Sequence, residues 1–167
     1  MLDKKIFKRT LFIYAHPDDE VLGAGGTINR LNRLKGNQTF VLITNTGITS
    51  RIENKSKSKS KINLLRKDSI KAITKLGVAK KNIFFGDFLD NKSDALPLLD
   101  LIQFIEEKIQ VIKPTAVFTH HRLCTNIDHQ YCNRAVLTAL RPNKNSKVAI
   151  FSSEILSSTG YLNPTKW

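Results

Sequence analysis

Residues 11–20 have the sequence LFIYAHPDDE, an apolar run that ends abruptly in one histidine and three carboxylates. An apolar run of this length, with Lys and Arg before it and a polar break after it, is typical of a buried β-strand. His16, Asp18 and Asp19 would then lie just beyond the carboxyl end of the strand, where open α/β sheets bind their ligands. Residues of these types at this spacing can supply two metal ligands and leave one carboxylate free. The stretch therefore predicts half of a zinc hydrolase site.

The length of 167 residues predicts a single domain with a real core. No apolar run approaches the roughly 18 residues of a membrane span, and residues 1–5 are not followed by the apolar region of a signal peptide. Cys124 and Cys132 give neither a disulfide framework nor a cysteine-based zinc pattern. A reducing cytoplasm is therefore the expected location.

The chain carries a net charge of +13, from 27 Lys and Arg against 14 Asp and Glu. Such a charge can indicate a polyanionic partner, such as nucleic acid or an acidic membrane surface. The lysines are, however, spread along the chain, and no RNA- or DNA-binding signature accompanies them. We therefore favour a compositional origin of the charge and expect no specific nucleic-acid partner, whereas a phosphate-bearing substrate would tolerate such a field.

Short apolar runs alternate with segments of helical periodicity along the whole chain. This alternation predicts right-handed βαβ units and an α/β fold, a Rossmann-like three-layer α/β/α arrangement around a mostly parallel sheet of about five strands. A Lys- and Ser-rich segment at 52–61 is predicted to be a flexible loop. The predicted strands are 10–15, 39–44, 82–85, 115–119 and 148–151, and the predicted helices are 21–34, 62–76, 97–112 and 128–140.

The fourth predicted strand, like the first, ends in polar residues, with His120 and His121 at its carboxyl end. In the common doubly wound strand order, the first and fourth strands are neighbours at the switch point of the sheet. Two motifs that lie about a hundred residues apart along the chain are therefore expected to meet in space.

A catalytic zinc needs about three protein ligands and an open position for water. His16 and Asp19 can both turn toward one point, and the third ligand should come from the neighbouring strand. His129 is the best candidate for it, with His120 and His121 as alternatives. Each of these residues alone has an ordinary structural explanation, but all four histidines of the chain fall in two places, each after an apolar strand.

Asp18 is left over beside the two predicted ligands. It is therefore the candidate general base that would accept a proton from the attacking water. Glu20 is expected to be structural, at the negatively charged first turn of a helix. The glycines Gly23, Gly25 and Gly26 lower the helix propensity of that segment, which predicts either close packing against the sheet or space for a ligand.

Residues 15–28, AHPDDEVLGAGGTI, resemble the signature of the LmbE-like, or PIG-L, family of zinc-dependent N-deacetylases. The family pattern is A-H-P-D-D-E followed by G-x-G-G-T. Its second block, a histidine-rich segment that ends in x-D-H, resembles 119–121 (THH) together with 126–129 (NIDH). Residues 46–51, 90–91 and 154–159 also resemble a branch of the family. The resemblance therefore covers nearly the whole chain.

The resemblance implies that His16, Asp19 and His129 bind Zn²⁺, or another divalent metal such as Fe²⁺, with Asp18 as general base. It also implies removal of the acetyl group from an N-acetylated amino sugar, such as N-acetylglucosamine joined to inositol or malate. The expected setting is glycan or cell-surface polysaccharide biosynthesis. The implied partner is a small-molecule or glycan-conjugate substrate. The sequence leaves the sugar and the oligomeric state open, with a homo-oligomer among the alternatives.

Two departures from the family pattern bear on activity. Asn126 stands where many members have the first histidine of H-P-D-H, and an amide cannot give up a proton at neutral pH. We therefore expect His120 or His121 to take that catalytic role. Members also continue beyond the E-x-x-S-S-T segment, so the single domain at 1–167 is expected to be short at its carboxyl end. The alternative function is accordingly a metal-binding but catalytically impaired family member.

Three residues are predicted to contact the substrate. Arg51 and Asp90 fall in loops at the carboxyl ends of strands, where they could bind an anionic group and a sugar hydroxyl. Asn126 could donate a hydrogen bond. Arg66 is a weaker candidate for an anionic group, because a solvated helix face explains it equally well.

Overall fold

The computed structural model describes residues 4–48, 50, 55–142 and 147–159. Within these residues, five β-strands alternate with four α-helices, as the sequence predicts. In chain order they are β1 (Arg9–Tyr14), α1 (Asp19–Asn32), β2 (Gln38–Asn45), α2 (Lys55–Lys75), β3 (Ile83–Phe88), α3 (Leu98–Ile112), β4 (Ala116–His120), α4 (Ile127–Ala139) and β5 (Ala149–Ser153).

The five strands form one parallel sheet in the order β3-β2-β1-β4-β5. Phe12 of β1 is aligned with Val41 of β2 on one side and with Phe118 of β4 on the other. The predicted α/β fold and the predicted pairing of the first and fourth strands are both confirmed. Because β1 and β4 run side by side in the same direction, the residues that follow them lie at one edge of the sheet.

The sheet is covered on both faces, which explains why its central strands are apolar throughout. Alternate β1 residues divide between two cores. Leu11 and Ile13 belong to a core with α3 and α4, whereas Phe12 and Tyr14 belong to a core with α1 and α2. No helix in the described part of the chain is both long and apolar enough to cross a bilayer.

Helix α2 begins at Lys55 and not at residue 62. The predicted loop at 52–61 is therefore wrong for residues 55–61, while residues 52–54 lie outside the described residues. The segment contains neither Gly nor Pro, and lysine is a good helix former, so its low complexity does not prevent a helix. Strand β3 likewise continues to Phe88, beyond the predicted end at residue 85, and passes through Gly86 where its pairing with β2 shifts register.

The glycines of α1 have different surroundings. A Cβ atom at Gly23 would lie 2.7 Å from Cδ1 of Ile155 and 3.2 Å from the backbone oxygen of Glu154. A Cβ atom at Gly26 would meet no atom within 4 Å. Close packing therefore explains Gly23, where the helix approaches the segment that follows β5, but not Gly26.

Candidate metal centre

The turn between β1 and α1 presents its polar side chains through an unusual backbone. Asp18 has a φ of 152° and a ψ of −29°, a conformation that is costly for a residue with a side chain. The Asp18 N–H donates to the His16 carbonyl oxygen (3.0 Å) and to Oε2 of Glu20 (3.0 Å), and these bonds hold the turn. Asp18 occupies the N-cap position of α1, but its side chain makes no capping hydrogen bond. Its carboxylate is therefore left for the cleft.

His16, Asp19 and His129 converge at the carboxyl ends of β1 and β4. Nδ1 of His16 lies 3.1 Å from Nε2 of His129. Oδ2 of Asp19 lies 3.3 Å from the former atom and 3.1 Å from the latter. Ligand atoms that bind one zinc tetrahedrally at about 2.0 Å lie about 3.3 Å apart. The spacing of these three donors therefore fits a single zinc-like cation.

The opposite nitrogen of His16 faces two further carboxylates. Nε2 lies 2.8 Å from Oδ2 of Asp128 and 3.1 Å from Oδ1 of Asp90, so these residues form a second group of close donors. Asp128 is fully buried and already accepts hydrogen bonds from the backbone N–H groups of Asn91 (2.6 Å) and Ser93 (3.1 Å). Carboxylates in this position commonly orient a metal-binding histidine. We therefore assign Asp128 and Asp90 to His16 and not to the cation.

The electrostatics of the cluster agree with this arrangement. Burial alone would lower the pKa of His16, but hydrogen bonds to carboxylates, first that of Asp128, raise it to about 11. Burial also opposes the charged form of His129, yet the contact with Asp19 raises its pKa to about 9. The two histidines outweigh the burial of Asp19 and hold the pKa of that carboxyl well below its usual range. A divalent cation would take the place of these shared protons.

A cleft of about 530 Å³ opens above the cluster. Asp18 lines it, and partial desolvation together with the negative charge of Asp19 raises the pKa of the Asp18 carboxyl. Among the described residues, the lining mixes polar groups with the apolar side chains of Leu22, Ile48 and Leu65. The polar lining residues other than those of the cluster include Ser50, Asp90, Asn91, Asn126, Ser157 and Ser158.

His120 and His121 do not line this cleft. His120 is fully buried, Nε2 accepts a hydrogen bond from the Ala15 N–H (2.8 Å), and its ring stacks on that of His129. Burial holds the pKa of His120 well below its usual range, so the ring is neutral. His121 lies outside the cleft and its Nδ1 accepts from the Leu123 N–H (3.2 Å). The geometry thus gives neither histidine the substrate contact that a catalytic role would need.

Asn126 caps helix α4, on which His129 is carried. Its Oδ1 accepts from the backbone N–H groups of Asp128 (2.9 Å) and His129 (3.4 Å), and the residue lines the cleft. The cap therefore sets where α4 starts and hence the direction in which His129 points.

The other predicted substrate contacts have different outcomes. Asp90 lines the cleft, but it is largely buried and hydrogen bonded to His16 and Ser50. Arg51 lies outside the described residues. Arg66 is not among the residues that line the cleft; it donates to the Gly86 carbonyl oxygen and pairs with Asp87, which favours the structural explanation of this residue.

The sequence interpretation gave Asp128 no role beyond marking a helix start. Its position directly before His129 was the available signal, since a helix start inside a metal site brings neighbouring residues together. The hydrogen bond between Asp128 and His16 depends on the pairing of β1 with β4, which spacing along the chain does not reveal.

Comparison with known proteins adds a family and a fold. The profile of the PIG-L family, described as GlcNAc-PI de-N-acetylase, matches residues 11–140. No curated protein matches the chain.

Solved structures share the fold at low identity. An N,N'-diacetylchitobiose deacetylase from Pyrococcus horikoshii superimposes with a TM-score of 0.71 at 22% identity, over 85% of this chain and 52% of its own. The zinc-inhibited form of the teicoplanin deacetylase Orf2 has a TM-score of 0.66 at 20% identity, over 78% and 62% of the two chains. GalB, the 4-carboxy-2-hydroxymuconate hydratase from Pseudomonas putida KT2440, has a TM-score of 0.66 at 17% identity, over 86% and 65%.

This chain thus spans about half the length of the chitobiose deacetylase. GalB shows that the fold also carries a hydratase, so the likeness to solved structures establishes the fold alone. The family match is independent of these structures and extends from β1 to the residue that follows α4. On that match, the predicted resemblance is confirmed: the chain belongs to the PIG-L family.

Proposed function

We propose that this protein is a zinc-dependent deacetylase that hydrolyses the N-acetyl group of an amino sugar. The observation that carries the proposal is the triangle of His16, Asp19 and His129 at the floor of the cleft, with the carboxylate of Asp18 on the cleft wall. The family match supports the reaction class. The zinc-inhibited deacetylase among the solved structures supports a divalent metal at this kind of site.

The residues of the chain divide the chemistry among them. When bound to His16, Asp19 and His129, zinc would supply a Lewis acid and lower the pKa of water. Asp128 and Asp90 hold the ring of His16 in one tautomer and one orientation. The raised pKa of Asp18 suits a carboxyl that first accepts a proton and later releases it.

Asp18 performs both proton transfers in this proposal. It accepts a proton from water as the new C–O bond forms at the acetyl carbon. It then returns the proton to the amide nitrogen as the C–N bond breaks, so that acetate and a free amine leave. Among the described residues of the cleft, the other ionisable groups belong to the metal cluster or orient it, which is why one carboxylate has both tasks.

The lining of the cleft supports a hydroxyl-rich substrate with an apolar part. Asn126 and Asp90 are proposed to contact the sugar, and the apolar wall would suit a less polar group attached to it. Arg51 stays a predicted contact from the sequence. The place in glycan or cell-surface polysaccharide biosynthesis and the cytoplasmic location likewise stay predictions.

The second candidate is a family member that binds metal without efficient turnover. It is favoured by the absence of both His120 and His121 from the lining of the cleft and by Asn126, which cannot donate a proton. In this case the metal site would form, and the described lining of the cleft would offer the substrate no acid besides Asp18.

The test is acetate release from N-acetylglucosamine and its conjugates with inositol or malate. The full chain is stripped with a chelator and assayed with and without added zinc, beside His16→Ala and the surface variant Asp100→Asn. Zinc-dependent release that His16→Ala abolishes and Asp100→Asn preserves is the expected result. Zinc binding without release from any conjugate would support the second candidate, and a protein that binds no zinc would contradict both.

A further inference from the structure

The outer nitrogen of His129 faces a sulfur atom. Nδ1 lies 3.0 Å from Sγ of Cys124, whereas Nε2 faces Asp19 on the other side of the ring. Cys124 is fully buried, and its Sγ lies 3.0 Å from Oγ of Ser158, a residue that lines the cleft. The three side chains thus form a continuous path from the metal cluster to the wall of the cleft.

We propose that Cys124 is a positioning residue for His129. The proposal rests on the metal site of the proposed function. The sulfur accepts the Nδ1–H of His129, which leaves Nε2 without a proton and aimed at the metal position. The thiol hydrogen is donated in turn to Oγ of Ser158, so the sulfur accepts one hydrogen bond and donates another.

Hydrogen bonds of its backbone fix the position of Cys124. The Cys124 N–H donates to the His121 carbonyl oxygen (3.2 Å), and Nε2 of Gln130 donates to the Cys124 carbonyl oxygen (2.7 Å). Cys124 also forms a β-bridge with Thr159, beside Ser158. The loop before α4 and the segment after β5 therefore contact each other at Cys124.

His16 and His129 are consequently supported in different ways. The outer nitrogen of His16 faces carboxylates, the usual partners of a metal-binding histidine, whereas that of His129 faces a sulfur atom, which is a weaker acceptor. Loss of the weaker acceptor still leaves a buried N–H without a partner, which favours rotation of the ring or the wrong tautomer.

Cys132 provides a matched control within the chain. It is also fully buried, and it lies on α4 with His129. Its Sγ is 3.9 Å from Oγ1 of Thr119 and 4.0 Å from the Ile13 carbonyl oxygen, and neither partner belongs to the metal cluster. Cys132→Ala therefore removes a comparable buried sulfur without removing a hydrogen bond to a metal ligand.

The test is the zinc affinity of the full chain, measured by competition with a chromogenic chelator. Cys124→Ala should weaken zinc binding by about 10–100-fold, the usual effect of losing an outer partner. Cys124→Ser, which keeps an acceptor, and Cys132→Ala should stay close to the wild type. Equal affinity of Cys124→Ala and wild type, or equal weakening by Cys132→Ala, would overturn the inference while leaving the proposed function intact. A wild type that binds no zinc would overturn both.

A second measurement uses only the wild type, so it does not depend on whether a variant folds. NMR of the histidine side-chain nitrogens in the zinc-loaded wild type should show His129 protonated at Nδ1 and bound to metal through Nε2. Metal bound through Nδ1, or a histidine protonated at both nitrogens, would overturn the inference.

Discussion

His16 is held from both sides of its ring, with Nε2 2.8 Å from Oδ2 of Asp128 and Nδ1 3.1 Å from Nε2 of His129. Asp128 lies directly before His129 on α4, so one helix turn supplies both the second histidine of the cluster and the carboxylate that orients the first. The start of α4 is therefore the element on which the geometry of the site depends.

Asp128→Asn should weaken zinc binding by about 10–100-fold, because the carboxylate that orients His16 loses its charge. An amide also brings a donor where the Asn91 and Ser93 N–H groups need acceptors. Chelator competition measures the affinity, and far-ultraviolet circular dichroism checks the fold. The exposed variant Asp100→Asn is the control, and equal affinity in the two variants would contradict the assignment.

Asp18→Asn should lower turnover by about 10²–10⁴-fold, the usual contribution of a general base. Asparagine tolerates a positive φ comparatively well, so the strained turn should persist. Zinc affinity should therefore stay close to that of the wild type, which separates this variant from the ligand variants. Steady-state acetate release measures turnover, and undiminished release from the loaded variant would show that another group accepts the proton.

The stability of the metal-free protein should depend on pH through Glu20. Burial raises the pKa of this carboxyl from 4.5 to about 7, so the folded protein holds the proton more tightly than the unfolded chain. The tighter binding of this proton stabilises the folded protein. Its contribution to the free energy of unfolding is complete below pH 4.5 and is lost as pH rises toward about 7. The loss amounts to about 3 kcal/mol.

Glu20→Gln, which cannot ionise, should not show this loss. Urea unfolding at about pH 5 and about pH 8 measures the difference between the two proteins at each pH. The variant should gain stability relative to the wild type at the higher pH. The exposed variant Glu107→Gln should show no such gain. If the difference in unfolding free energy between Glu20→Gln and the wild type is the same at both pH values, the role of Glu20 is refuted.

Gly23 and Gly26 of α1 should respond to substitution by alanine in opposite directions. Gly23→Ala forces a Cβ against Ile155 and the Glu154 backbone, which should cost about 1–3 kcal/mol of stability. Gly26→Ala meets open space within a helix and should gain about 0.5–1 kcal/mol. Thermal unfolding of both variants is the measurement, and a shift of the same sign in both would contradict the packing argument.

Local patterns were sufficient for much of this molecule. The alternation of apolar runs with helical periodicity predicted the five strands, the four helices and the pairing of β1 with β4. These features depend on the periodicity of buried residues and on the order of the elements along the chain, and both can be identified from the sequence. The segment at residues 55–61 was the exception, because low complexity indicated a loop whereas lysine propensity permits a helix.

The AHPDDE motif alone indicated the family and predicted His16, Asp18 and Asp19 as site residues. The direction of the side chains beyond that turn depends instead on how the strands and helices pack in three dimensions. The register between β1 and β4 buries His120 against Ala15, and the Asn126 cap turns His129 to the cleft. The same start of α4 brings Asp128 onto His16 and Cys124 onto His129. Such contacts join residues that lie far apart along the chain or on opposite sides of one turn. The sequence could therefore favour His129 over His120 and His121 as the third ligand, but it could not show which of the three side chains reaches the cleft.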